Sequence, residues 1–356
     1  MDLHALAWMV RDAGQPVGCV RLLDDHRVLA GGWDGDVRCW DAEGNLLWGA
    51  STPDRVSAIT PWGDAVALTS GLHVVVLDLA TGTERWSRPL EGSADLQCVL
   101  GDHLLTTSSV YDIEHFDFLE SAAWLHDRDG NELHVERLDE RPWALAQQGS
   151  EVLLGLGRPR GGLLATTDGR TFKHRALGHD APVLAMAGTG EGLHVLLADG
   201  TLLHNERVVA HDLPDAAGLT DLGSALLLHG EHGHVLHLGD AGWTANGDVL
   251  TSAGALGDHL VLARHGPSSS SLHLHAQDGM EEVQVASSRV HAMHGDGARL
   301  VLGTEGGDVI VLEAGMVTRR LAQAEDEADS NGEEAEDAEA EAHRQAMRAR
   351  LRALRD

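Results

Sequence analysis

The chain has 356 residues and a formal net charge of −30, from 26 basic and 56 acidic residues. A hydrophobic fraction of 43% supports a sizeable core, yet no apolar run approaches the ~20 residues of a membrane span. The tail 324–356 holds 5 Arg and 11 acids, so most of the acidity lies in the body, which therefore repels nucleic-acid backbones. Lys173 is the only lysine; acid enrichment almost without lysine is also what a GC-rich genome or a saline cytoplasm produces.

The N-terminus, Met1 to Trp8, has no basic region and no long apolar run, so no signal peptide is expected and the cytoplasm is the expected compartment. Cys19, Cys39 and Cys98 are odd in number and lack a CxxC spacing. They read as buried strand thiols in a reducing compartment.

From Val17 onward the chain repeats at about 40 residues, the period of propeller blades. Units begin near Val17, Arg55, Ala94, Pro142, Pro182, Ala217, Ala253 and Arg289. In the second, Val56–Ile59 and Ala65–Leu68 precede Val74–Asp78, a turn at Thr81-Gly82, and Glu84–Trp86. Short apolar runs bounded by Gly or Asp predict strands buried between stacked sheets. No segment before residue 315 carries helical periodicity. Leu6–Val10 matches the fourth strands around Trp48 and Trp86, so it is expected to complete the last blade and remove two exposed sheet edges. Trp40, Trp48 and Trp86 recur where packing between blades is expected, whereas Trp33 precedes a turn and is a candidate for exposure.

Ala30–Asp41 reads as strand, Asp34-Gly35 turn, and strand ending in Trp40-Asp41. This segment resembles the WD-repeat signature, and Leu177–Val183, with Gly178-His179, resembles the Gly-His entry into a WD blade. Asp78–Trp86 is similar instead to a quinoprotein-type propeller repeat. Together the resemblance spans residues 1–315 and implies an all-β, closed propeller of about eight, alternatively seven, four-stranded blades. No single unit carries both the Gly-His and the Trp-Asp elements, so an incomplete His–Asp–Trp network is implied.

The resemblance also implies that loops between second and third strands share one interaction face. In the third unit this loop, Val110–Ser121, holds the only Tyr, Tyr111, and two of the three Phe, Phe116 and Phe118. Long loops on rigid scaffolds often carry function, and surface aromatics anchor partners. The alternative is that Phe116 and Phe118 only fasten the loop to the propeller. The next unit contributes Arg158 and Arg160, which either pair with Asp112, Glu114 or Asp117 or help form a mixed-charge peptide groove.

With 23 histidines a metal site must be weighed. His229, His232, His234 and His237 cluster in the sixth unit and are weak candidates. His273 and His275 alternate on one strand of the seventh, a spacing that directs both imidazoles toward one ion, but no carboxylate or Cys stands at a matching sequence spacing. Ser268 to Ser271 read as a flexible polar loop. No nucleophile elbow, phosphate loop or His-Glu-x-x-His is present. Neither catalysis nor a cofactor is expected.

Residues 315–341 read as an acidic linker without stable structure. Residues 342–356 read as a basic amphipathic helix with Met347, Leu351 and Leu354 on one stripe beside Arg348. Such a short helix needs a partner to be stable: its own propeller, another protein, or an anionic surface. The expectation is a non-enzymatic scaffold, residues 1–314, binding protein partners through Tyr111, Phe116, Phe118, Arg158 and Arg160 and through the tail helix. The rival is a propeller that binds a ligand or metal through the histidine cluster, with a quinoprotein-like enzyme as one form of it.

Overall fold

In the computed structural model the described residues are 3–324, apart from 115, 190, 191, 214, 223–225 and 239–241. They form eight four-stranded antiparallel sheets. Seven are meanders of consecutive strands, beginning at Val17, Val56, Ser93, Pro142, Val183, Ala216 and Val249. The eighth joins Val290–Gly295, Arg299–Thr304 and Asp308–Glu313 to Met9–Asp12 from the other end of the chain. Met9 lies opposite Val311 and Asp12 opposite Asp308. The N-terminal strand therefore completes the last blade, and the blades number eight.

Burial explains why these segments are strands. The second strand of the second blade, Ala65–Ser70, is buried at every residue, because both faces of each sheet meet a neighbouring sheet. Eight clusters of buried apolar side chains result, one at each joint between adjacent blades. The closing joint packs Val17 and Val20 of the first blade on Val301 and Val309 of the eighth. Gly303 has no room for a Cβ there, because Val17 Cγ1 would lie 2.4 Å from it.

Fourth-strand tryptophans add a repeated lock. Trp48 Nε1 donates to the Leu79 carbonyl at 3.1 Å, and Trp86 Nε1 donates to the Arg128 carbonyl at 3.0 Å. Each ring covers a turn glycine of the next blade, Gly82 or Gly130, held at φ 72° or 77°. Trp40 is not equivalent to them: it ends a third strand and belongs to the closing joint. Asp41 beside it caps the following turn, accepting from Asn45 N at 2.7 Å and Glu43 N at 3.1 Å. Trp33 is half-buried under the Arg55 guanidinium, 4.4 Å from its ring.

Two expectations need correction. Leu6, expected to open the N-terminal strand, instead ends a helical turn, Leu3–Leu6, and the strand begins only at Met9. Residues 314–324 form a helix where the linker was expected to begin. Val317 and Leu321, one helical turn apart, bury themselves with Leu3 and Leu6 against the last two blades, and Arg320 donates to the Ala7 carbonyl at 2.9 Å. The rest of the tail, 325–356, lies outside the described residues.

The three cysteines are free and buried. Burial pushes the Cys19 and Cys98 thiols up to about 12 and Cys39 up to about 11, so all three are protonated and unreactive at neutral pH.

A buried histidine, His126, and a half-buried one, His294, make the ring sensitive to acid. His294 Nδ1 accepts the Leu22 N–H at 3.2 Å across the closing joint. Burial, followed by the nearby Arg21 charge, pushes His294 down to about 4; burial does the same to His126, also to about 4. The unfolded chain takes up these protons near pH 6.5, so their stabilising contribution is complete above that pH and is lost as pH falls toward about 4.

Acidification from about pH 7 to about pH 4.5 is expected to remove on the order of 2 kcal/mol for each of these histidines. Urea midpoints of His294→Gln, which keeps an acceptor but cannot titrate, should fall less over that range than those of the unaltered chain. At the tryptophan lock, Gly130→Val should destabilise by about 2–4 kcal/mol, through a strained φ and a collision with Trp86. Gly101→Ala, at positive φ with open space around it, should cost only about 1 kcal/mol. Thermal melts of the two variants check the difference.

Candidate functional site

In an up-and-down blade, the loop between strands two and three and the connection leaving strand four emerge on the same face. On that face the third and fourth blades build a groove of about 560 Å³. Its wall is not the long loop expected from sequence. His103–Asp112 and Asp117–His126 are ten-residue strands, so most of Val110–Ser121 is an extended hairpin standing above the rim. The hairpin lifts Tyr111, Ile113, Phe116 and Leu119 into solvent, with relative exposures of 48%, 77%, 79% and 58%.

Phe118 links this tip to the groove. Its ring lies 5.0 Å from Tyr111 and 5.5 Å from Trp143, edge to face with the latter at 88°. The Arg141 guanidinium stacks over both Phe118, at 4.3 Å, and Trp143, at 4.5 Å. Cation–π contacts of this kind gain from partial desolvation. Asp95 fixes the guanidinium at 3.0 Å and itself accepts from Ser109 Oγ at 2.5 Å. Burial of Asp95 raises its carboxyl despite both partners. Gly157 leaves room for the Trp143 indole to lie across the fourth blade's loop, since a Cβ there would stand 2.8 Å from Nε1.

The opposite wall comes from Gly157, Arg158 and Pro159 of the loop Gly157–Gly161 and from Pro182, Val183, Leu184 and Ala198 of the fifth blade. Glu140 is buried and accepts the backbone N–H groups of Arg160 at 2.7 Å and Gly161 at 3.3 Å. That fixes the loop and leaves the Arg158 and Arg160 side chains exposed. Among the described residues neither guanidinium pairs with Asp112, Glu114 or Asp117. Arg158 lines the groove with Phe116, Asp117, Phe118 and Trp143; Arg160 contributes its backbone. The structure thus gathers Phe116, Phe118 and Arg158 in one groove and places Tyr111 against Phe118. Met347, Arg348, Leu351 and Leu354 lie outside the described residues.

Sequence reasoning missed Trp143 and Arg141, which line the groove with Phe116, Phe118 and Arg158. Their signal was an Arg-Pro-Trp run at the start of the fourth blade, directly beneath the aromatic hairpin in any propeller. Missed too were Asp95 and Glu140, buried carboxylates that position the two walls.

The four sixth-blade histidines do not converge on one centre. His232 pairs with Asp215 at 3.0 Å, and His234 meets Asn246 at 3.0 Å. His237 stacks on Trp243 with centroids 5.4 Å apart. Burial lowers the pKa of His229 and of His237. In the seventh blade, Ser270 and Ser271 begin a strand rather than belonging to a flexible loop. A carboxylate does stand beside His273 and His275: Glu281, on the adjacent strand.

No protein-family model matches the chain, and no curated protein matches its sequence. Solved structures do. BamB from Moraxella catarrhalis superposes with a TM-score of 0.68 at 16% identity, over 86% of this chain and 99% of that one. Saccharomyces cerevisiae Sqt1 gives 0.67 at 12%, over 87% and 99%. The C-terminal WD40 domain of Sif2 gives 0.63 at 10%, over 86% and 98%. The likeness is one of fold alone, and the fold of this chain is an eight-bladed β-propeller. Among the described residues no helix is long and apolar enough to cross a membrane.

Proposed function

We propose that the protein is a non-enzymatic scaffold of the cytoplasm that captures a peptide segment of another protein on the rim of its third and fourth blades. One observation carries this reading. The hairpin holds Ile113 and Phe116 more than three-quarters exposed above a groove floored by Phe118 and Trp143. Large apolar side chains at such exposure are costly unless a partner covers them. Aromatic and arginine side chains around a pocket are the chemistry of interface anchors. Asp117, Asp139, Arg141 and Arg158 around the groove supply both signs of charge and would set the register of a bound segment.

The tail is a second proposed element. The propeller's own packing reaches Leu321, so a basic helix carrying Met347, Arg348, Leu351 and Leu354 would be tethered by only about two dozen residues. Tethering raises its effective concentration at the propeller or at a bound partner.

Capture of partners from the native host by the full chain, followed by mass spectrometry, tests the reading. Phe116→Asp or Trp143→Ala should weaken the principal partner by about 2 kcal/mol or more, roughly 30-fold. Leu47→Asp, at an exposed position on the first blade, should leave it unchanged. A chain ending at Ala324, which keeps the packed helix, reports the tail separately. A partner set indifferent to all of these substitutions removes the scaffold reading.

A further inference from the structure

The outer hairpin of the seventh blade holds a second constellation. On the strand Ser270–His275, Ser271, His273 and His275 share one face because alternate residues point the same way, while Leu272 and Leu274 are buried on the other. A register irregularity between Leu274 and His275 sets His275 opposite Glu281 of the next strand. Glu281 Oε2 lies 2.6 Å from His273 Nδ1 and 3.8 Å from His275 Nε2. One donor atom from each of the three residues lies within 4.8 Å of the others.

The hydrogen bonds around His275 prepare it as a ligand. His275 is 4% exposed, and its Nδ1 lies 3.2 Å from the Gly279 carbonyl. A carbonyl only accepts, so Nδ1 carries the proton and Nε2 is left as a lone pair. That Nε2 is buried and has no hydrogen-bond partner. Its ring is fixed from behind by Trp243, stacked at 5.3 Å and 19°. His273 is held by Ser271, whose Oγ lies 2.8 Å from Nε2. A carboxylate only accepts, so His273 Nδ1 carries the proton it donates to Glu281 Oε2, and Nε2 accepts from the Ser271 hydroxyl. An ion would displace that proton, leave Nε2–H to donate to the Ser271 Oγ, and part the pair to about 3.4 Å. The 3.8 Å from Glu281 to His275 Nε2 is too long for a hydrogen bond, but it is close to the ~3.4 Å between two donors on one tetrahedral ion with bonds of about 2.0–2.1 Å.

We propose that His273 Nδ1, His275 Nε2 and Glu281 Oε2 bind one divalent transition-metal ion, with Zn2+ the best match. Two imidazoles and one carboxylate suit Zn2+; Ca2+ and Mg2+ require mainly oxygen ligands. The fourth position faces a cavity of about 270 Å³ lined also by Asn246, Arg264 and Gln284. Arg264 is buried, spends Nη1 on the Gly233 and Asp248 carbonyls at 2.7 Å each, and has no partner for Nη2. Its charge opposes a bare cation and favours an anionic fourth ligand, hydroxide or a carboxylate. The third ligand escapes a reading of sequence spacing because it comes from the neighbouring strand.

Untagged full-length protein, stripped by chelator and titrated calorimetrically with Zn2+, provides the test, with Co2+ substitution reporting geometry by its visible spectrum. The expected result is one ion per chain and an intense tetrahedral Co2+ spectrum. Glu281→Gln, at a half-exposed position that tolerates substitution, and His275→Gln should each weaken Zn2+ by about 100-fold or more, at or beyond the 10–100-fold of second-shell changes. The double variant His232→Ala/His234→Ala should bind as the unaltered chain does. Sub-stoichiometric uptake, or affinity unchanged in Glu281→Gln, overturns the assignment. So does labelling of Ser271 by a fluorophosphonate without metal uptake: Ser271, His273 and Glu281 would then act as a nucleophile, base and orienting acid.

Discussion

Every sheet in this molecule must bury both of its faces, and that requirement dictates the rest. A four-stranded meander alone would leave apolar side chains such as Val66, Leu68, Val75 and Leu77 in water. Stacked around a ring, each sheet covers the next, and the eight joints become eight separate small cores. Such a ring has no centre of stability; it is as strong as its joints, much as repeat proteins are sums of neighbour interactions. Closure therefore matters more than any single blade. It is made by backbone pairing of Met9–Asp12 with Asp308–Glu313, by valine packing around Gly303, and by the imidazole acceptor of His294. Helix 314–324 and the turn Leu3–Leu6 then cover the flank where the two chain ends meet.

How much of this could be read from the sequence follows from what is periodic. Strand runs and turn glycines recur, so blade starts were legible to within a few residues: Arg55 against Val56, Ala94 against Ser93, Arg289 against Val290. Trp48 and Trp86 were legible as joint residues for the same reason. What does not recur was missed. Val317 and Leu321 form a single short stripe, and the acidic composition after it masked the helix. Val110–Ser121 contains no Gly, Pro or Asn to mark the turn between its two strands, so an extended hairpin resembled a loop. Ala253 was taken as the start of a strand that begins at Val249, because Val249 and Leu250 are separated from the apolar run by Thr251 and Ser252.

The sites were half legible for a related reason. Rare residue types stand out in one dimension: the sole Tyr and two of three Phe pointed to the third blade's hairpin. The residues that organise the groove are common types made special by position. Arg141 matters because Asp95, from the first strand of the third blade, holds it between two rings. Glu140 matters because it is buried beneath two backbone donors. Likewise the six-to-seven region was read from histidine density in the sixth blade, whereas convergence occurs on the seventh, where strand pairing adds Glu281.

The two halves of the ring also differ in how their joints are made. Between the first and second blades, thirteen buried apolar residues form the cluster. Among the described residues, the cluster between the fifth and sixth has three buried members, Leu196, Leu202 and Leu228, with partly buried apolar side chains around them, and that between the sixth and seventh has five. The second of these joints is supplemented by polar and aromatic groups: His237 and His275 stacked on either side of Trp243, and Arg264 reaching across to the Gly233 carbonyl. Apolar packing tolerates no polar cavity, whereas such a joint holds one. The sparse core and the histidine-carboxylate site are then one feature. A joint that gives up apolar contact gains room for liganding groups, and an ion held by His273, His275 and Glu281 would cross-link the two outer strands of the blade beside it. At the joint between the third and fourth blades, nine buried apolar residues form the cluster beneath Phe118 and Trp143, and among the described residues no such opening is left in it.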